Sequence, residues 1–463
     1  MKTEIGVIGL GVMGKSLSRN LARNGFRTSI FNRHVDGKEE HVAVDFQRAH
    51  PELDQALPFD NLKAFVQSLE TPRSIILMVN AGAAVDAVLA NLSEFLEAGD
   101  VVIDGGNSHY EDTRRRIDSL KERGMHFIGA GISGGEAGAL KGPSIMPSGD
   151  RAAYAQVQQF LETISAGDEE GKPCCAYVGR QGSGHFVKMI HNGIEYVEMQ
   201  LLAECYSILK QQGSSNEEIA AIFESWKQDL WSYLLEITVD ILRKKDGDDY
   251  VLDQILDKAG NKGTGSWATV SIVSAGEPAT MIPAALLARY LSFFKEKREN
   301  AASLFPAKSM ASEVSPLQLK EAYQFSRLIN HHQGFSIIAR VSSQHDWNVD
   351  FSEIARIWTE GCIIKSDLMK ELVVLLKTEQ AILLNDTIRQ TITKNHASMQ
   401  AVAIACIKNE VHAPCLLEAA NFYHGLKTAH SSANLIQAQR DYFGAHTYQK
   451  VDDPSGGSYH TMW

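Results

Sequence analysis

Short apolar runs alternate with helical stretches along the first 180 residues of the chain. Stretches such as Lys15–Asn24 and Tyr110–Glu122 carry the periodicity of amphipathic helices. Strands that alternate with helices predict a parallel sheet that is covered by helices on both faces. The runs that predict buried strands are Glu4–Ile8, Thr28–Phe31, Ile75–Val79, Val101–Asp104 and His126–Ala130.

Glycine and polar residues gather at the carboxyl ends of these predicted strands. Parallel strands end at a common edge of their sheet, and ligands of such sheets bind at that edge. We therefore expect five loops to converge on one site. These loops are Gly9–Gly14, Asn32–His34, Asn80–Gly82, Gly105–Ser108 and Gly131–Gly135.

The pattern changes near Gly184, where strand signals give way to long helical patterns. The last thirty residues change again, to a segment with glycines and aromatic side chains that we expect to dock on another surface. The sequence predicts an α/β Rossmann-type domain over residues 1–181, an all-helical domain over 182–433 and a C-terminal tail over 434–463. The predicted helices include Val187–Gln212, Asn216–Lys244, Pro283–Asn300, Ser315–Ser342 and Thr378–Asn395.

Composition narrows the classes of partner. The net charge of −11 argues against nucleic acid and anionic membranes as partners, although it allows a small anionic ligand in a local cationic pocket. The longest apolar runs, such as Ile75–Val79, are much too short to span a membrane. The six cysteines are scattered and lack a CxxC pattern. We therefore expect a cytoplasmic protein without a metal site.

The first loop carries a dinucleotide-binding pattern. Gly9-Leu10-Gly11-Val12-Met13-Gly14 follows a predicted strand and precedes a predicted helix, the context in which GxGxxG is informative. The glycines allow a tight turn, a close approach of pyrophosphate and close packing of helix on strand. The alternative is an incidental glycine-rich turn.

The second loop bears on the choice of cofactor. An acid at the end of this strand would bind the ribose 2′-hydroxyl of NAD, whereas this chain has Asn32-Arg33-His34 and no acid before Asp36. Arg33 can pair with a 2′-phosphate, which favours NADP. The alternative is a solvated surface arginine.

One predicted helix collects polar residues on one side. At about 100° per residue, Lys188, Asn192 and Glu195 share a face that His191 and Tyr196 flank. The other face carries Val187, Ile190, Ile194 and Val197, which we expect to be packed. The face offers a candidate base and a candidate acid, and the alternative is an amphipathic helix whose polar side is only solvated.

Taken together, these motifs resemble the decarboxylating 6-phosphogluconate dehydrogenases. The resemblance runs from Gly9 to Trp463, and the stretch Ala433–His446 is nearly diagnostic of that family. It implies a homodimer that oxidises and decarboxylates 6-phosphogluconate with NADP. The other matching motifs are Asp104–Ser108, Ser133–Glu136, Lys188–Tyr196, Lys262–Gly265 and His460–Trp463.

The resemblance also implies roles for individual residues. Lys188 would be the general base and Glu195 the general acid, and Arg440 and His446 would reach the site of the partner subunit. Residues implied to bind NADP are Gly9, Leu10, Gly11, Val12, Met13, Gly14, Lys15, Asn32, Arg33, His34, Val79, Asn80, Ala81 and Asn107. Those implied to bind substrate are Asn107, Ser133, Gly134, Gly135, His191, Asn192, Tyr196, Lys262, Arg289, Arg440 and His446.

The chain departs from the family pattern at a few positions. Asn80 and Ser266 stand where the family usually has lysine, Ala137 stands where it has a second acid, and Thr359-Glu360 replaces a more basic or glycine-rich pair. Two alternatives therefore stay open. One is a dehydrogenase for another β-hydroxy acid, and the other is a non-catalytic protein that binds NADP.

Overall fold

A seven-stranded sheet organises the N-terminal part of the molecule. The computed structural model describes residues 2–260, 263–305, 314–378 and 381–463. The strands lie in the order β3-β2-β1-β4-β5-β6-β7, in which the first six are parallel and β7 runs antiparallel to β6. The predicted Rossmann-type sheet is thereby confirmed. The strands are β1 (Ile5–Ile8), β2 (Thr28–Phe31), β3 (Leu57–Phe59), β4 (Ser74–Leu77), β5 (Val101–Asp104), β6 (His126–Ile132) and β7 (Ile145–Gly149).

Helices connect these strands and cover the sheet. Burial of β1, β2, β4 and β5 is complete, as expected for strands with helices on both faces. The two strands that the sequence did not predict, β3 and β7, lie at the two edges of the sheet. The helices are α1 (Val12–Arg23), α2 (Val42–Ala49), α3 (Leu62–Gln67), α4 (Ala83–Leu92), α5 (Tyr110–Lys121), α6 (Gly135–Lys141) and α7 (Arg151–Ile164).

The rest of the chain is mainly helical, which confirms the predicted fold class. Two long helices, α8 (Ser183–Gln211) and α14 (Pro316–Gln344), pack against each other, and α8 also lies against β6 and β7. The other helices are α9 (Asn216–Leu230), α10 (Tyr233–Arg243), α11 (Thr264–Ala275), α12 (Met281–Phe293), α13 (Lys295–Leu304), α15 (Phe351–Ile357), α16 (Asp367–Leu375), α17 (Asp386–Lys408), α18 (Pro414–Leu426) and α19 (Ala433–Gly444). A two-stranded hairpin joins β8 (Lys245–Asp246) to β9 (Asp249–Tyr250).

Three predicted helices differ from the observed ones. The helix predicted over Asn216–Lys244 is broken after Leu230, where Ser232 caps a new helix by accepting a hydrogen bond from Leu235 N at 3.2 Å. The helix predicted over Pro283–Asn300 breaks at Phe294, whose φ and ψ of −85° and 51° leave the helical region. The helix predicted from Thr378 starts at Asp386, because Asn385 caps it there.

The tail folds around one buried carboxylate. Asp441 on α19 is fully buried, and its two oxygens accept hydrogen bonds from the backbone amides of Thr447 and Thr461, each at 3.0 Å. The same carboxylate contacts His460 Nδ1 and accepts from Trp463 Nε1, both at 2.9 Å. The side-chain hydrogen bonds that the structure describes for residues 434–463 join tail residues to one another. The tail is therefore ordered by its own polar contacts.

None of the helices in the described ranges is both long and apolar enough to cross a membrane.

Candidate active site

The carboxyl edge of the sheet brings the predicted loops together. Gly9 has a φ of +97°, and a side chain there would come within 2.5 Å of Met78 O. A Cβ at Gly14 would overlap the carbonyl oxygen of Gly9, so α1 can approach β1 only because both positions are glycine. A Cβ at Gly11 would meet open space, and no side chain caps the start of α1. These features fit a pyrophosphate against the helix N-terminus.

The second loop lies beside the first. Leu10 N donates to Asn32 Oδ1 at 3.1 Å, which ties the ends of β1 and β2 together. Arg33 is largely exposed and pairs with Glu39 at 3.0 Å, while His34 pairs with Asp36 at 2.8 Å. Lys15 on α1 has its ammonium 5.5 Å from the ring centroid of Phe46 on α2. Two cationic groups therefore lie on the loop after β2, where an adenosine phosphate is expected, and each is paired with a carboxylate of that loop.

A buried arginine that the sequence did not single out joins the next two loops. Arg116 on α5 donates to Gly82 O at 3.0 Å and to Asp86 at 2.8 Å. On its other side it lies 3.5 Å from Asp104, which accepts from Ser108 Oγ at 2.6 Å. Arg116 and Asp104 together hold two loops in place. One loop carries the predicted cofactor residues Val79, Asn80 and Ala81, and the other carries the exposed Asn107.

Close packing of α8 against β6 places Lys188 at this edge. A Cβ at Gly131 would collide with the side chain of Lys188, so glycine is needed there for the helix to approach the strand. The predicted apolar face of α8 is fully buried at Val187, Ile190, Ile194 and Val197. Lys188 is itself only 6% exposed, so the interpretation of a solvated polar face is wrong for this part of the helix.

The amine of Lys188 is held by three side chains. Its Nζ donates to Ser133 Oγ at 2.9 Å and to Asn192 Oδ1 at 2.8 Å, and lies 3.3 Å from His191 Nδ1. Ser133 lies within the fifth predicted loop, directly after β6 and beside Gly134 and Gly135 at the start of α6. The structure therefore brings a helix residue and a sheet-edge loop into one polar cluster.

Burial changes the protonation of this cluster. Desolvation lowers the pKa of Lys188 to about 8, against an opposing influence of Glu195. Desolvation, followed by the charge of Lys188, lowers the pKa of His191 well below its ordinary value. A neutral histidine therefore adjoins an amine that can exchange its proton near neutral pH, as a general base requires.

The cluster continues along α8 towards Arg289. Glu195 Oε2 lies 3.9 Å from His191 Nδ1, with its side chain 20% exposed. The guanidinium carbon of Arg289 on α12 stacks 3.4 Å from the ring centroid of Tyr196. Burial lowers the pKa of this guanidinium, yet it stays cationic. The candidate base Lys188 and the candidate acid Glu195 thus lie on α8, and the guanidinium of Arg289 lies beside the same helix.

Two predicted substrate residues lie apart from this cluster within one chain. Arg440 and His446 are exposed on the tail, where Arg440 contacts Gln437 at 3.1 Å and His446 packs against Phe443. Lys262 lies outside the described residues. Within one chain, the described contacts of the tail residues therefore do not join them to Lys188.

The structure adds residues that sequence reasoning missed. Asn192 Nδ2 donates to Thr264 Oγ1 at 3.4 Å, and the ring of Trp358 packs edge-on against His191 at 5.3 Å. Thr264 belongs to the Lys262–Gly265 motif, so that motif could have suggested it. Trp358 carried no such signal. Over the described parts of the chain, no group of three His, Cys, Asp or Glu side chains is placed to hold a metal ion.

Comparisons with known proteins agree with this arrangement. The profile of the NAD binding domain of 6-phosphogluconate dehydrogenase matches residues 4–179, and that of the C-terminal domain of 6-phosphogluconate dehydrogenase matches residues 184–463. A decarboxylating 6-phosphogluconate dehydrogenase of Shigella flexneri is 42% identical, over 100% of this chain and 99% of the relative. An NAD(+)-dependent, decarboxylating 6-phosphogluconate dehydrogenase of Bacillus subtilis is 44% identical over the full length of both.

A solved structure extends the agreement to the whole fold. The 6-phosphogluconate dehydrogenase of Plasmodium falciparum, described in its apo form and in complexes with its cofactor NADP+ and its substrate 6-phosphogluconate, superposes with a TM-score of 0.94. It is 35% identical, with 99% of this chain and 100% of that chain covered. The resemblance inferred from the sequence is confirmed, and the chain belongs to the 6-phosphogluconate dehydrogenase family.

Proposed function

We propose that the protein oxidises and decarboxylates 6-phosphogluconate to ribulose 5-phosphate and CO₂ while NADP⁺ is reduced to NADPH. The observation that carries the proposal is the buried Lys188 amine, held by Ser133 and Asn192 beside the dinucleotide loops. The names of the relatives support the substrate and the reaction, and the Plasmodium falciparum complexes support NADP.

In this proposal Lys188 moves the first proton. Its neutral amine takes the proton from the C3 hydroxyl, and bound NADP⁺ supplies the acceptor for the hydride that leaves C3. The resulting ammonium then stabilises the negative charge that develops on the C3 oxygen while the C1–C2 bond breaks and CO₂ departs. Ser133 and Asn192 keep the Nζ atom in place throughout.

Glu195 is proposed to deliver the second proton. Loss of CO₂ leaves an enediol, which must be protonated on the carbon that carried the carboxylate. Glu195 is one turn beyond His191 on α8 and is partly open to solvent, so it can be reloaded with a proton. Its place along the helix from Lys188 fits a ligand that lies along α8.

The proposed binding residues divide by the part of the ligand they would meet. The NADP set is Gly9, Leu10, Gly11, Val12, Met13, Gly14, Lys15, Asn32, Arg33, His34, Val79, Asn80, Ala81 and Asn107. For the substrate we propose Asn107, Ser133, Gly134, Gly135, His191, Asn192, Tyr196, Lys262 and Arg289. Arg289, stacked on Tyr196, is suited to an anionic end of the substrate.

We also propose a homodimer in which residues 434–463 dock on the partner subunit. The tail exposes apolar side chains at Leu435, Ile436, Tyr442 and Phe443, which gain free energy only when another surface covers them. Docking there would bring Arg440 and His446 to the partner's site.

The expected division into residues 1–181, 182–433 and 434–463 and the expected cytoplasmic location stay proposals. All six cysteines are free thiols, the state that a reducing compartment maintains.

The first test is a spectrophotometric assay at 340 nm with 6-phosphogluconate and NADP⁺, then with NAD⁺. We expect NADPH formation together with release of one CO₂ per turnover. Binding of NADPH without turnover would instead favour the non-catalytic alternative, for which Asn80 and Ser266 are the sequence features. Turnover of a smaller β-hydroxy acid alone would assign a different substrate.

The pH profile should report Lys188. Since only the neutral amine can accept a proton, kcat/KM should rise about tenfold per pH unit below the pKa and level off near pH 8, where that pKa lies in the free enzyme. NADPH affinity, measured by fluorescence over the same pH range, serves as the control and should lack this limb. A profile that is flat from pH 6 to pH 9 would contradict the assignment.

Replacing Arg33 by alanine should weaken NADP far more than NAD. Only NADP carries a 2′-phosphate, and loss of a hydrogen-bonded charge pair costs about 2 kcal/mol, or roughly thirtyfold in affinity. The dissociation constants of both reduced nucleotides measure the effect. Lys38→Ala removes an exposed cation from the same loop and is the matched control. Equal losses for both nucleotides would show that Arg33 does not contact the phosphate.

A further inference from the structure

Asn32 and Arg33, which we propose to lie beside the 2′-phosphate of NADP, already form hydrogen bonds with one carboxylate of the following loop. Glu39 accepts from Arg33 Nη2 at 3.0 Å and from Arg33 Nε at 3.3 Å. The same carboxylate accepts from Asn32 Nδ2 at 3.0 Å. These hydrogen bonds lower the pKa of Glu39, so it is ionised at neutral pH. Two of the proposed NADP residues therefore share one anionic partner within the chain.

The loop fixes this carboxylate opposite the end of β2. Val35 N donates to Glu39 O at 3.1 Å, and Glu39 N donates to Val35 O at 2.8 Å, which closes a tight turn. The side chain of Glu39 is about one-third exposed, whereas that of Arg33 is 73% exposed. The neighbouring Glu40 turns elsewhere, towards the backbone amide of Gly37. Glu39 is therefore the acid that the backbone aims at Arg33.

A carboxylate here has opposite effects on the two cofactors. A 2′-phosphate needs the guanidinium that Glu39 holds, and its negative charge is repelled by an acid at this place. A ribose 2′-hydroxyl has no such conflict, because it can donate a hydrogen bond to a carboxylate. We propose that Glu39 sets the selectivity between NADP and NAD by competing with the 2′-phosphate for Arg33. The inference rests on the proposed use of a nicotinamide dinucleotide.

The test uses binding of the reduced nucleotides to the full-length protein without substrate. Nicotinamide fluorescence gives the dissociation constants of NADPH and NADH for wild type, Glu39→Gln and Glu40→Gln. The amide introduced by Glu39→Gln would keep an acceptor for Asn32 while removing the charge. We expect Glu39→Gln to tighten NADPH about three- to tenfold and to change NADH less than twofold. Glu40→Gln removes the same charge from the adjacent position and should leave the ratio within twofold.

Several outcomes would overturn the inference. An NADPH affinity that is unchanged or weaker in Glu39→Gln would mean that Glu39 orients Arg33 without competing for it. An equal effect of Glu40→Gln would assign the gain to net charge. If Glu39→Gln tightened NADPH by the same factor in an Arg33→Ala background, the effect would be direct repulsion and the competition would not pass through Arg33.

The measurements distinguish a failure of the proposed reaction from a failure of the proposed role of Glu39. A chain that binds both nucleotides but leaves 6-phosphogluconate unoxidised would overturn the reaction and leave the selectivity measurement intact. If the chain oxidises 6-phosphogluconate but Glu39→Gln leaves the ratio of the NADPH and NADH dissociation constants unchanged, the proposed role of Glu39 is wrong and the proposed reaction stands.

Discussion

Replacing Lys188 by methionine should abolish hydride transfer. General-base catalysis contributes about 10²- to 10⁴-fold, and the first chemical step depends on it in the proposed mechanism. Methionine preserves most of the side-chain volume on α8 but leaves Ser133 and Asn192 without the amine that they hold. We expect the single-turnover rate of NADPH formation, followed by stopped-flow absorbance, to fall by about 10³-fold, the middle of that range.

Two controls separate loss of the base from loss of the fold. Lys210→Met removes an exposed lysine near the end of the same helix and should leave the rate within twofold of wild type. NADPH binding and the unfolding temperature of Lys188→Met should stay close to wild type. A Lys188→Met protein that reduced NADP⁺ within about threefold of the wild-type rate would remove lysine as the base.

Two inactive chains should restore activity when they form one dimer. In a Lys188→Met/Arg440→Ala heterodimer whose tails act on the partner, one site carries both lesions and the other carries neither. Activity should return to about half of wild type per dimer, from the count of intact sites. Co-expression with two different tags, purification on both and a steady-state assay measure it.

A tail that completes the site of its own chain predicts the opposite result for the heterodimer. If each tail serves its own chain, every site keeps one lesion and a verified heterodimer stays inactive. Lys450→Ala removes an exposed lysine from the same tail and should be active alone, which separates loss of Arg440 from general damage to the segment.

The sheet was predictable where its strands are central and was missed at its edges. The central strands are continuous apolar runs, for example Ile75–Leu77 within β4. The edge strands β3 and β7 contain Pro58 and Pro147, and proline is the residue that argues against a strand in a sequence pattern. Edge strands tolerate proline because one side of their backbone lacks a full partner strand, and the outer side of β7 forms only isolated bridges, to Cys175 and Gly179. Local sequence could not reveal that position in the sheet.

The candidate site was predictable by residue but not by environment. Helical periodicity placed Lys188, Asn192 and Glu195 on one face, yet it could not distinguish a wet face from a buried one. That distinction depends on Ser133 and Trp358, which lie far from α8 in sequence and reach it only through the fold. The Arg33–Glu39 pair spans six residues, and its turn geometry was equally hidden from a pattern of residue types.

The carboxylate at the centre of the tail bears on how two chains would meet. Asp441 gathers Thr447, Thr461 and Trp463 through hydrogen bonds within one chain. Because these contacts need no group from a partner, a tail that forms them in the monomer would leave less conformational entropy to be lost on association. Such a tail would dock on the partner as a pre-formed element, without a coupled folding step. Differences in dimer affinity would then arise mainly from the dissociation rate.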